Sequence, residues 1–73
     1  MDIKMKFGKN LKRLRLEKGI SQESLSFLAD LDRSYISSTE KGVRNVSITV
    51  AEKLANALNV DISELFKNEL IDW

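Results

Sequence analysis

Apolar side chains recur along this 73-residue chain at helical intervals. Ile3, Phe7, Leu11 and Leu14 follow at spacings of four and three, which draws one stripe along a helix over residues 3–17. Gly19, able to take positive φ, is the expected stop. Ser21 suits the N-cap of a second helix over 22–29, with Leu25, Leu28 and Ala29 facing inward. Asp30-Leu31-Asp32 reads as a polar-flanked turn with Leu31 as its apolar plug. Asp32 is placed to cap a third helix over 33–41, and Gly42 to end it. Beyond the loop "VRNVS", Ser47 caps a fourth helix over 48–58 that turns Ala51, Leu54, Ala55 and Leu58 inward. "DISE" opens a fifth: Asp61 and Glu64 have capping-box spacing, and Ile62, Leu65 and Phe66 form its apolar face. With no proline and no useful strand-like alternation, the pattern predicts an all-α single compact domain of five short helices over residues 1–73.

Composition narrows what holds such a domain together. There is no Cys and no His, so neither a disulfide nor a zinc site staples it. Packing, helped by self-association, has to suffice in a chain this short. Asp30 and Asp32 are explained by capping and turn roles, so no metal and no cofactor is expected. No apolar run approaches the ~18 residues of a membrane span, and no signal peptide is visible. A cytoplasmic, nucleoid-associated protein with no membrane partner is the expectation.

The net charge of +1 says little, but its distribution is uneven. Lys4, Lys6, Lys9, Lys12, Arg13, Arg15 and Lys18 outnumber Asp2 and Glu17 in the first twenty residues. Beyond residue 45, Lys53 and Lys67 face five acids. A basic front and an acidic rear suggest a molecule oriented toward a polyanion.

The third helix is the least oily. Ile36, Thr39 and the flank of Tyr35 are its core-capable positions. Arg33, Ser34, Ser37, Ser38 and Lys41 share the opposite face, which is small, basic and free of acids. A helix of that kind can enter the major groove, with its N-terminal residues nearest the base edges. Helices two and three, joined by a short turn, form a helix-turn-helix over about residues 21–42.

"SQESLSFLADLDRSYISSTEKGVRNVSI", with "LKRLRLEKGIS" before it and "LANALNVDISELF" after, resembles the lambda-repressor-like (Cro-type) helix-turn-helix family. Within it, the sequence is most similar to the controller proteins of restriction–modification systems. The resemblance implies that Gln22, at a helix N-terminus, holds a phosphate of double-stranded DNA. It places Arg33, Ser34, Tyr35 and Ser38 at base edges or adjacent phosphates, and Arg44 as a second base-reading arginine. Asn45 and Ser47 fall at phosphate contacts. Arg15 and Glu40 occupy the positions of a structural ion pair, so Glu40 has no catalytic reading and no enzyme is expected.

The family pairs through its last helix, so residues 61–73 are the expected dimerisation segment. Leu65, Phe66, Leu70 and Ile71 are the candidate contacts, with Trp73 in the same oily tail. Ile62 and Phe66 are expected to lean inward, and Leu65, Leu70 and Ile71 toward the partner. The implied function is a homodimeric regulator on a palindromic operator that autoregulates its promoter as activator and repressor. RNA polymerase is a candidate partner for activation. The rivals are a phage- or plasmid-type repressor, an antitoxin-like regulator, and a protein-interaction module without DNA. Two positions depart from the family. Val46 stands where many members have Pro. Thr39 replaces an aliphatic core residue, and its hydroxyl is expected to bond back to the carbonyl one turn earlier.

Overall fold

The computed structural model describes residues 2–68. Four α-helices follow one another: α1 (Ile3–Glu17), α2 (Gln22–Ala29), α3 (Arg33–Glu40) and α4 (Ile48–Leu58). The chain then makes a 3-10 helix, Ile62–Phe66. Among the described residues there is no strand, and no helix is long and apolar enough to cross a membrane.

The helix ends follow the local chemistry with one exception. Ser21 accepts a hydrogen bond from the Ser24 N–H and Ser47 one from the Val50 N–H. Gly19 and Gly42 take φ of +70° and +77° just past α1 and α3. Asp30 adopts the left-handed conformation at the end of α2, as a short polar residue tolerates. Leu31, next in line, packs against the core as the expected plug. Asp32 is the exception, since its carboxylate makes no capping bond. Ser21→Ala should therefore lower stability by about 1 kcal/mol. Asp32→Ala should cost only the ~0.3 kcal/mol of its attraction to the helix dipole. Parallel urea titrations will read the difference.

The core is one cluster. Phe7, Leu11 and Leu14 enter it from α1, and Leu25 and Ala29 from α2. Ile36 enters from α3, and the four expected residues of α4 are all buried. Thr39 is 1% exposed, and its hydroxyl donates to the Tyr35 carbonyl at 2.7 Å, as its position in the core requires. Where α1 crosses the end of α3, the approach is close because Gly8 carries no side chain. A Cβ there would collide with the Thr39 carbonyl oxygen and lie 2.9 Å from that of Glu40.

Three expectations change. Leu28 is 56% exposed, and Ser26 is buried in its stead. The inward arc of α2 is set by Leu25, Ser26 and Ala29, and at 100° per residue Leu28 falls about 110° from its centre. The Ser26 hydroxyl donates to the Glu23 carbonyl at 2.7 Å, so its burial leaves nothing unsatisfied. Ile3 is half exposed at the start of α1, where it lines a shallow cleft with Phe7, Val46 and Phe66.

The third change is the last element, which is wound as a 3-10 helix. A five-residue segment gains few i→i+4 bonds. Its end is held from outside: the buried Asn10 amide donates to the Leu65 and Lys67 carbonyls at 3.0 and 2.8 Å. The capping box does not form. Asp61 accepts from the Ser63 N–H, and Glu64 pairs with Lys67 at 3.1 Å, a pairing favoured where residues i and i+3 eclipse. The Ser63 backbone bond, then its hydroxyl, hold the exposed Asp61 carboxyl below its ordinary value of 3.8, so its stabilising effect is lost on acidification.

Three residues per turn also rotates the apolar face. Residues 62 and 66 diverge by about 120° in a 3-10 helix, so Ile62 and Phe66 cannot point inward together. Leu65 goes inward instead and is fully buried, while Ile62 and Phe66 are 36% and 43% exposed. Leu65 is thus a core residue of the single chain and not a free dimer contact. Phe66 packs edge-on against Phe7, with ring centres 5.3 Å apart.

Candidate nucleic-acid interface

The scaffold of the site is a polar strut through three helices. Arg15 of α1 donates from Nε to one Glu40 oxygen at 2.7 Å and from Nη2 to the other at 3.2 Å. Its Nη1 donates to the Ile20 carbonyl at 2.9 Å. The side chains are 10% and 4% exposed, so this is a nearly dry, bidentate pair. Gln22, the first residue of α2, donates its amide N–H to the same Glu40 at 3.0 Å. Its second amide hydrogen and the exposed start of α2 remain for an anion.

Beyond the strut, α3 turns its expected face outward. Arg33, Ser34 and Lys41 are exposed, and Ser37 and Ser38 half-buried. Neither Arg33 nor Arg44 has a carboxylate partner among the described residues. Arg44, in the loop after Gly42, folds back over α3. Its Nε donates to Ser38 Oγ at 2.8 Å, and its guanidinium carbon lies 4.3 Å from the centre of the Tyr35 ring. Asn45 and Ser47 continue the exposed edge, and Lys4, Arg44 and Asn45 are among the residues lining the cleft that reaches Phe66.

The structure therefore brings Tyr35, Ser38 and Arg44 into contact, sets Arg33 and Ser34 on the exposed first turn of α3, and ties Gln22 to Glu40. Leu70 and Ile71 lie outside the described residues, as does Trp73. Sequence reading missed Asn10, whose amide N–H groups anchor the last described turn to α1 through the Leu65 and Lys67 carbonyls, while its oxygen accepts from Arg13 Nη2 at 3.1 Å. The signal was present: a polar residue sits inside the apolar arc of α1, beside Leu11. Lys4 was counted only as charge, though it lies beside the candidate loop.

A family model described as helix-turn-helix matches residues 11–65. The control protein C.MunI of a Mycoplasma species is 52% identical over 68 residues, which cover 92% of each chain. The crystal structure of the restriction–modification controller protein C.AhdI from Aeromonas hydrophila aligns with a TM-score of 0.84 at 52% identity, covering 86% of this chain and 96% of that one. The controller protein C.Esp1396I was crystallised as a tetramer in complex with its natural 35 base-pair operator. It aligns at 35% identity with a TM-score of 0.79, over 92% of this chain and 99% of that one.

Proposed function

The chain belongs to the lambda-repressor-like helix-turn-helix family, and from that premise we propose that it is a sequence-specific DNA-binding regulator of the restriction–modification controller type. The observation that carries this reading is the exposed, acid-free face of α3, flanked by two arginines that have no carboxylate partner among the described residues. Desolvating such a face against phosphates strands no carboxylate of its own.

α3 enters the major groove. Arg33, Ser34 and Arg44 supply base contacts, with Tyr35 and Ser38 on the same surface. Gln22, Asn45 and Ser47 hold phosphates on either side and set the register. The protein acts as a homodimer with its two α3 helices roughly 34 Å apart on a palindromic operator. Phe66, still partly exposed, belongs to the dimer surface together with Leu70 and Ile71. The regulated promoter is its own. One dimer activates through contact with RNA polymerase, and a second dimer alongside represses.

Selection of bound DNA from a random pool tests this directly, with sedimentation of the free protein as the check on pairing. A symmetric site and a dimer are expected. Arg33→Ala should then lose about 1–3 kcal/mol of discrimination at one guanine and relax preference there alone. A pool that yields no preferred sequence would sink the regulator reading. An unchanged preference in both Arg33→Ala and Arg44→Ala would sink the assignment of the readers. Binding to the selected site should also weaken steeply with salt.

A further inference from the structure

We propose that Tyr35 and Ser38 are positioning residues that set the guanidinium of Arg44 before DNA arrives, so that of the three only Arg44 reads a base. This rests on the DNA-binding reading above and sharpens it, because the family resemblance places Tyr35 and Ser38 at base edges or adjacent phosphates beside the base-reading Arg44.

The geometry is a closed chain of small steps. Ser38 Oγ donates to the Tyr35 carbonyl at 3.1 Å and accepts from Arg44 Nε at 2.8 Å. Its single hydrogen is committed, so it has no donor left for a base. The Tyr35 ring has the Arg44 guanidinium carbon 4.3 Å from its centre, so that ring face is covered. Arg44 itself is exposed. With Nε taken by Ser38, its four terminal N–H donors remain. They form the end-on fork that matches guanine O6 and N7.

The arrangement also answers a kinetic and entropic problem. A long arginine in a loop loses rotamer freedom when it docks on a base. Holding it on a ring and a hydroxyl of a rigid helix removes much of that freedom beforehand, which favours binding without adding a contact to DNA. Because Tyr35 and Ser38 lie one turn apart on α3, the plane of the guanidinium is referred to the helix that enters the groove.

The test uses the full-length protein and the operator sequence recovered by selection with the wild type. Tyr35→Leu should weaken binding about 5-fold or more, with the loss of preference confined to the base pair that Arg44→Ala also relaxes. Tyr35→Phe, which keeps the ring, should restore wild-type preference. In an Arg44→Ala background, Tyr35→Leu should do nothing further. Ser38→Ala, on a half-buried surface position, gives the same position-specific loss should Tyr35→Leu fail to fold.

A readout without DNA accompanies these. The Arg44 side-chain protons should show an upfield ring-current shift that Tyr35→Leu abolishes, and the Arg44 Nε–H should exchange faster in Ser38→Ala. The proposal is overturned if Tyr35→Phe loses as much as Tyr35→Leu, since the phenol would then be touching DNA. It is equally overturned if the Tyr35 and Arg44 effects add, or fall at different base pairs. A wild type that selects no sequence overturns the regulator reading itself, whereas normal selection with unaltered Tyr35→Leu and Ser38→Ala variants overturns only the cradle.

Discussion

Gly8→Ala is expected to destabilise the protein by about 2 kcal/mol, although the helix scale alone predicts the opposite sign. In an exposed helix interior, replacing Gly with Ala gains about 1 kcal/mol. Here the added Cβ would collide with the Thr39 carbonyl oxygen and lie 2.9 Å from that of Glu40. Both are backbone atoms at the end of α3, so no rotamer change relieves the overlap. Either α1 or α3 must shift, and overpacking of this kind costs about 1–3 kcal/mol, more where the obstacle is rigid. Steric cost therefore outweighs propensity. For a domain of this size a 2 kcal/mol loss corresponds to a fall of roughly 10 °C in Tm. Calorimetry of the variant decides the sign, and a rise in Tm would mean that the two helices can separate without loss. The contact also bears on function, because the shifted turn carries Glu40 and leads into the Arg44 loop.

Much of this architecture follows from signals that act within one turn. The bounds of α1, α2 and α4 were legible because their apolar stripes are bracketed by Ser21 and Ser47 as caps and by Gly19 as a stop. Thr39 was legible too, since a buried hydroxyl on a helix has one ready acceptor, the carbonyl four residues back. What escaped depends on contacts between distant parts of the chain. The last segment carried the right residues for an α-helix, but Asn10, 55 and 57 residues away from its partners, fixes where it ends. That changed the winding from 3.6 to about 3 residues per turn and exchanged Leu65 for Phe66 on the inner face. Leu28 was assigned inward by hydrophobicity, yet the neighbours of α2 accept a small hydroxyl at Ser26 on that arc. The acid-free face of α3 was plain from spacing alone. The stacking of Arg44 on Tyr35 was not, because eight residues lie between them, a positive-φ glycine among them.

The largest loss should come from Arg15→Met. It leaves the Glu40 carboxylate, 4% exposed, with the Gln22 amide as its one remaining side-chain partner among the described residues. Removing one member of a buried pair costs about 3–5 kcal/mol, because the other stays charged in a dry site. A small domain has about 5–15 kcal/mol in total, so this variant should unfold at low denaturant or be partly unfolded at rest. The double variant Arg15→Met/Glu40→Met separates stability from geometry. Replacing both charges by apolar side chains of similar volume is commonly neutral or stabilising, since the desolvation of two ions disappears with them. Its urea midpoint should return close to that of the wild type. Gln22 then has no carboxylate to orient its amide at the start of α2, so operator affinity should stay low in a gel shift even though the fold is restored. A double variant as unstable as Arg15→Met would show that the pair contributes net stability. A double variant that binds like the wild type would show that Gln22 needs no anchor, and the strut would then serve folding alone.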